Sequence, residues 1–254
     1  MKLRSALSVG LLFAVKGLGE GINGTSPDPL PPPQNYGIVL FPAFQALDVF
    51  GPLDILNLFA ISQPLNLALL APTLDPVSTK PRMTTHANSN FSQSILPTHT
   101  FDNPPSDLEV LIVPGGIGTR APSPELDAHV AFIKETYPKL RYLVGVCTGV
   151  GLMSRTGILD GKKATGNKRS WAWVTAQSNK VHWIAHARWI RSGNIWTTSG
   201  VAAGIDGMFD FVKTVYGEEV ALNLANGLEY ERELDWQNDP FATLYNLTDV
   251  LPVP

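Results

Sequence analysis

The sequence predicts an α/β fold: a doubly wound, mostly parallel sheet with helices on both faces and a small β-hairpin. Two observations carry this. Short apolar runs without polar alternation recur along the chain, as in strands covered on both faces. Helical patterns fall between them, and strand–helix alternation with right-handed crossovers closes into that architecture.

The runs read as buried strands are Tyr36–Phe41, Leu65–Ala71, Leu108–Val113 and Tyr142–Val146. The first helix, Asp48–Phe59, carries apolar residues at Val49, Leu53, Leu56 and Phe59. A second, Pro124–Tyr137, is opened by Ser123, and a short one, Thr148–Thr156, is stopped by Gly157. Two more fit Ala202–Tyr216 and Glu218–Leu228. The stretch Val181–Thr198 interrupts the alternation with a hairpin turning at Ser192-Gly193-Asn194. Neither a repeat nor a second linker appears, so residues 35–254 read as one domain. In such sheets ligands lie outside the carboxyl ends of the strands.

The N-terminus has a different character. Lys2 and Arg4 precede the apolar run Ala6–Val15, which Lys16 breaks, and small residues follow. This is the layout of an export signal over residues 1–21, too short to span a bilayer. The alternative is an amphipathic helix that stays attached. Residues 22–34 form a Pro-rich linker (TSPDPLPPPQ at 25–34), and N-x-S/T triplets begin at Asn23, Asn90 and Asn246. The expectation is a secreted, glycosylated protein, or a cytoplasmic one if the segment is no signal. With a formal net charge of −3 and no Lys/Arg block, nothing points to nucleic acid.

The chain has one cysteine, so no internal disulfide is available. Cys147 follows a predicted strand within Gly145-Val-Cys147-Thr-Gly149, a G-x-C-x-G elbow opening a helix. The helix N-terminus favours thiolate over thiol. The bland alternative, a buried core cysteine, fits the position less well. A Ser-hydrolase-like triad would need a later acid and His. Only His182 and His186 follow, with Asp160 in a Gly-flanked turn between, and the last stretch of chain has no His. A downstream His-x-Glu is also missing. His86, His99 and His129 lack metal-ligand spacing, and Asp206 with Asp210 reads as packed helix, so no metal or other cofactor is expected. The tryptophans at 171, 173, 183, 189 and 196 read as core or interface. Asp48 on its own residues reads as a helix N-cap.

The segments FPAFQALDVFGPLDIL, LIVPGG (111–116), GVCTGVGLMSRTGILDGKKATGNK (145–168) and SGVAAGIDGMFDFV (199–212) together resemble the ThiJ/PfpI superfamily over residues 36–243. The combination of LD-x-x-GP, CTG and SGVAAGID is similar to the isonitrile hydratase branch, and NKRSWAWV and GLEYERELDWQNDPFA to its fungal-type members. The resemblance implies a flavodoxin-like fold, a homodimer and a small-molecule substrate. It implies Cys147 as nucleophile, Asp48 as the acid touching its sulfur, Thr148 as its neighbour in the site, and Gly115 and Gly116 presenting backbone N–H groups to substrate. Many members carry a His downstream of the cysteine; here Asn167 fills that slot and cannot accept a proton at neutral pH.

The implied reaction is water addition to R–N≡C, giving an N-substituted formamide. Cys147 attacks the terminal carbon, Asp48 in its acid form protonates the developing nitrogen anion, and water positioned by Asp48 and Thr148 hydrolyses the thioimidate. The alternatives are a deglycase-like activity on α-oxoaldehydes and a non-catalytic thiol sensor. The first helix, apolar on nearly all sides, must be covered on both faces, by later helices or by a symmetry-related copy.

Overall fold

The computed structural model describes residues 30–81 and 89–253. The export-signal segment, residues 22–29 of the Pro-rich linker, Asn23 and His86 lie outside the described residues. In chain order the elements are β1 (Asn35–Val39), α1 (Ala46–Phe59), β2 (Asn66–Ala71), β3 (Val77–Ser78), β4 (Ser94–Ile95), β5 (His99–Thr100), β6 (Val110–Val113), α2 (Asp127–Thr136), β7 (Tyr142–Gly145), α3 (Gly149–Arg155), β8 (Lys163–Ala164), α4 (Trp171–Thr175), β9 (His182–Trp183), β10 (Trp189–Ser192), β11 (Ile195–Thr198), α5 (Val201–Tyr216), α6 (Glu218–Gly227) and α7 (Pro240–Leu244).

The main sheet has seven strands in the order β10-β11-β7-β6-β1-β2-β5. All neighbours are parallel except β10 and β11. The chain winds from β1 outward to β5, then returns to the other flank of β1 and winds through β6 and β7 to β11. The reversal between β1 and β6 opens a crevice beyond their carboxyl ends, where such folds bind ligands. Every residue of β6 and β11 is buried, as the unbroken apolar runs require of strands covered on both faces.

Helix α1 packs against α5 and α6 and buries Val49, Ile55 and Phe59 in the core it shares with the strands. The approach to α5 is close: a Cβ on Gly51 would lie 2.8 Å from Ile205 Cγ1. The second apolar face is therefore covered by the chain's own later helices, and only Leu47 and Phe50 stay exposed on it. The apolar helix thus gives no independent argument for a dimer.

Three expectations change. The hairpin spans Trp189 to Thr198 only, and β11 docks parallel to β7, so it extends the sheet instead of interrupting it. The earlier residues His182–Trp183 pair instead with Lys163–Ala164. Helix α2 begins at Asp127, because Ser123 Oγ donates to the Asp127 carboxylate at 2.7 Å and caps no backbone N–H. Asp206 and Asp210 lie in α5, the packed helix expected of them: Asp206 holds Arg188 at 2.6 Å and Asp210 accepts the Trp196 indole N–H at 2.9 Å. Trp183 and Trp196 are fully buried, while the half-buried Trp173 lies under the guanidinium groups of Arg120 and Arg155. Asn90 and Asn246 are exposed.

The glycines of the elbow bring α3 onto the strand ends. A Cβ on Gly145 would lie 2.2 Å from Met153 Sδ, and one on Gly149 would lie 2.4 Å from both Val113 O and Pro114 O. The Met153 side chain has some freedom to move; the backbone oxygens have little. Helix propensity alone makes Gly149→Ala stabilising by about 1 kcal/mol. Overpacking against those oxygens reverses the sign, so urea denaturation should show a net loss of ~1–3 kcal/mol. A gain in stability would mean that α3 does not rest on the end of β6.

Candidate functional site

Three strand ends supply the site. After β1 the chain turns through Ala43, at φ 62°, to Gln45, whose N–H donates to Gly115 O at 2.8 Å. Gln45 is the N-cap residue of α1, so Asp48 falls inside the first turn and does not cap it. Its carboxylate reaches across to the next loop, where Oδ2 accepts the Gly115 N–H at 2.9 Å. Asp48 is fully buried. Gly115 carries no side chain for a local reason: a Cβ there would stand 2.7 Å from Asp48 Oδ2 and 2.6 Å from the Thr148 nitrogen.

The third strand end is the elbow. Cys147 has φ 59°, a left-handed conformation that non-glycine residues adopt at an energetic cost. Its N–H donates to Thr198 O at 3.2 Å, and its residue exposure is 5%. Asn167 Nδ2 donates to Cys147 Sγ at 3.1 Å, while Asn167 Oδ1 accepts the Ser170 N–H at 2.9 Å, which fixes the amide orientation. Asp48 and Cys147 are near enough for the charge of one to act on the other, while Asp48 Oδ1 has no hydrogen-bond partner. Contacts between reacting groups often tighten only around bound substrate. The structure thus brings Asp48, Cys147, Thr148 and Asn167 together.

Burial dominates the protonation of this pair. It pushes the Asp48 carboxyl up to about 7, against the opposing pull of the Gly115 N–H and the thiol. Burial also pushes the Cys147 thiol well above its ordinary value, with the Asp48 charge acting in the same direction. The Thr148 N–H and the Asn167 amide favour thiolate but are outweighed. The expectation from the helix N-terminus alone is thereby reversed: desolvation outweighs the N–H that the start of α3 turns to the sulfur. At neutral pH the pair holds one proton on sulfur and part of a second on Asp48.

The Pro114-Gly115-Gly116 turn differs from its expected role. The Gly115 N–H is committed to Asp48, and the Gly116 N–H to Thr148 Oγ1 at 2.9 Å. Thr148 Oγ1 donates in turn to Gly116 O at 3.1 Å. The turn therefore orients the acid and the threonine, and neither N–H is free for a substrate. Of the two glycines only Gly116 lines the cleft.

That cleft has a volume of about 480 Å³ and exposes Cys147, Thr148 and Asn167, with Gln45, Arg120 and Arg169 around them. Sequence reasoning missed both arginines. Arg120 follows the turn after β6 and Arg169 follows Asn167, so proximity to the site motifs was the available signal. Arg120 Nη2 donates to Ser170 Oγ at 2.8 Å, and no carboxylate pairs with either arginine among the described residues.

Residues 37–214 match the DJ-1/PfpI family model. The chain is 32% identical over 194 residues to the isonitrile hydratase of Pseudomonas putida, covering 76% of this chain and 77% of that protein. It is 30% identical over 152 residues to the HTH-type transcriptional regulator GbdR of Pseudomonas aeruginosa, covering 58% of this chain but only 40% of the regulator. Among solved structures, a ThiJ/PfpI family protein from Pseudomonas syringae superimposes with a TM-score of 0.63 at 26% identity, covering 79% of this chain and 76% of that one. The α/β sheet, the elbow at Cys147 and a family match over most of the chain give one conclusion: this protein belongs to the DJ-1/PfpI family.

Proposed function

We propose that the protein hydrates isonitriles, R–N≡C, to N-substituted formamides, with Cys147 as nucleophile and Asp48 as its proton carrier. The observation that carries this reading is the buried Asp48 carboxyl beside the elbow thiol, poised to titrate near neutrality. The similarity to the P. putida isonitrile hydratase supports it. Asn167 stands where a histidine base would serve a Cys–His mechanism, so among the described residues the Asp48 carboxyl is the proton acceptor beside the sulfur.

In the first half-reaction Asp48 carboxylate takes the thiol proton as sulfur bonds to the terminal carbon. The anion so formed is centred on that carbon, not on nitrogen as a simple addition to a triple bond implies. Asp48 returns the proton there, giving the thioimidate R–N=CH–S–Cys147. In the second half-reaction Asp48 carboxylate deprotonates a water that attacks the same carbon, and the proton passes to nitrogen. The tetrahedral adduct R–NH–CH(OH)–S–Cys147 collapses by breaking the C–S bond. Sulfur leaves with the hydroxyl proton, releasing R–NH–CHO and restoring the thiol. One water is consumed and nothing is oxidised. The Asn167 N–H, aimed at sulfur, stabilises the negative charge that builds there as the C–S bond breaks. Thr148, tied to Gly116, fixes the wall against which water and substrate lie.

Cys147→Ala should abolish turnover, measured as formamide release from a simple alkyl isonitrile. Asp48→Asn retains an acceptor for the Gly115 N–H but carries no proton, so kcat should fall ~10²–10⁴-fold. Near-normal rates in that variant would remove Asp48 from the mechanism.

The same substitution should stabilise the fold at neutral pH. Folded Asp48 keeps its proton up to about 7, whereas the unfolded chain releases it near the ordinary carboxylate value. The folded state therefore binds more protons between these limits, and stability declines as pH rises through that window. Asp48→Asn escapes the decline, and its thermal midpoint should exceed wild type at pH 8 more than at pH 4. An equal difference at both would refute the assigned protonation.

For wild type, kcat/KM should rise with pH through about 7 as the doubly protonated pair loses one proton. A profile flat from pH 5 to 9 would contradict a proton-carrying Asp48.

A further inference from the structure

Beside the cleft of Cys147 lies a second cavity of about 310 Å³ that shares Asn167, Arg169 and Val201 with it. Its floor is the N-terminus of the 16-residue helix α5, whose N-cap is Gly200 and which has no side-chain cap. The first intrahelical bond runs from Gly204 N to Gly200 O, so the N–H groups of Val201, Ala202 and Ala203 precede the ladder and form the positive end of the helix dipole. Ser199 also lines the cavity. It is 1% exposed, and its Oγ is buried with no hydrogen-bond partner. A buried hydroxyl without a partner carries a desolvation cost that a bound acceptor would relieve.

Among the described residues, the charged side chains that line this cavity are all basic. Lys168 and Arg188 line it but are committed elsewhere: Lys168 Nζ to Thr165 Oγ1 and the Gly166 and Ala187 carbonyls beside Asp239, and Arg188 to Asp206. Arg169, at the junction of the two cavities, is exposed and pairs with no carboxylate among the described residues. The opposite wall is Phe241 and Tyr245. Free N–H groups, an unpartnered hydroxyl and an uncompensated guanidinium around one cavity form an anion site with an apolar side.

We infer that this cavity is a carboxylate-binding subsite, and that the substrate of Cys147 carries a carboxylate on a short apolar spacer. The inference rests on the hydration reading for the reacting group and on the cavity for the carboxylate. The two cavities are close enough for one small molecule. Cys147 N–H bonds to Thr198 O at 3.2 Å and Ser199 is the next residue, while a Cβ on Gly200 would lie 3.7 Å from the Asn167 Nδ2 that holds the sulfur. With neighbouring strands ~5 Å apart and consecutive Cα atoms ~4 Å apart, the spacer is on the order of two or three carbons.

The test compares 3-isocyanopropanoate with its methyl ester as substrates, and butanoate with butanamide as ligands by titration calorimetry, using the full chain. The acid should exceed the ester about tenfold in kcat/KM, and butanoate but not butanamide should bind. Ser199→Ala and, separately, the surface change Arg169→Gln should collapse the acid-to-ester ratio towards one and weaken butanoate. Thermal melts report whether each variant is folded. Equal use of acid and ester with no butanoate binding overturns the subsite and leaves hydration standing. Butanoate binding that both variants weaken, with no isonitrile turned over, overturns hydration and leaves the subsite standing.

Discussion

The structure depends on three backbones meeting at one place. The loops after β1, β6 and β7 come close enough that no side chain fits at Gly115 or Gly149, and the Gln45 and Gly115 backbones hydrogen-bond directly. This approach occurs where the winding of the sheet reverses, the one place where the ends of adjacent strands diverge without a crossing helix. Everything chemical follows from it. Asp48 can reach the Gly115 N–H from its helix, and the cysteine at the tip of β7 is delivered against that carboxyl. Side chains alone, on loops not tied to one another, would not hold a carboxylate beside a thiol.

Exclusion of water sets the electrostatics. A carboxyl with one oxygen bonded to Gly115 and the other without a partner cannot stay ionised as readily as in solvent, and a thiol beside it cannot easily become thiolate. The site consequently opposes the stability of the fold, and the rest of the molecule compensates by close packing of its sheet and by buried polar networks. Two of these flank the site. Lys168 is held by carbonyls and Asp239, and its neighbour is Asn167; Arg188 is locked to Asp206, which also accepts Tyr230 and the Glu233 N–H. They fix the segments that carry the thiol's amide partner and the edge of the sheet.

Much of this was legible beforehand. The four strand runs, five helices and the elbow follow from apolar periodicity and from glycines at fixed offsets, signals local to a few residues. The motif resemblance singled out Asp48, Cys147 and Thr148, and the structure brings these together. What escaped was long-range. That Gly115 and Gly116 spend their N–H groups on Asp48 and Thr148 depends on contacts between loops far apart in sequence. The pairing of His182–Trp183 with Lys163–Ala164, and the docking of β11 on β7, are likewise invisible to a periodicity that reports burial but not partner. The sign of the thiol's shift was misread because helix-end electrostatics are visible in a sequence and burial depth is not. Arg120 and Arg169 went unnoticed because a lone arginine next to a motif carries no pattern.

The depth of Cys147 has a consequence for its redox chemistry. Oxidation by peroxide proceeds through thiolate that solvent can reach. A thiol that burial keeps protonated, in a residue only 5% exposed and flanked by a carboxyl, meets neither condition. Both features disfavour sulfenic acid at Cys147. The burial that holds the proton on sulfur also shelters it from adventitious oxidants, so the single cysteine, with no second thiol in the chain to pair with, is kept reduced by its own surroundings.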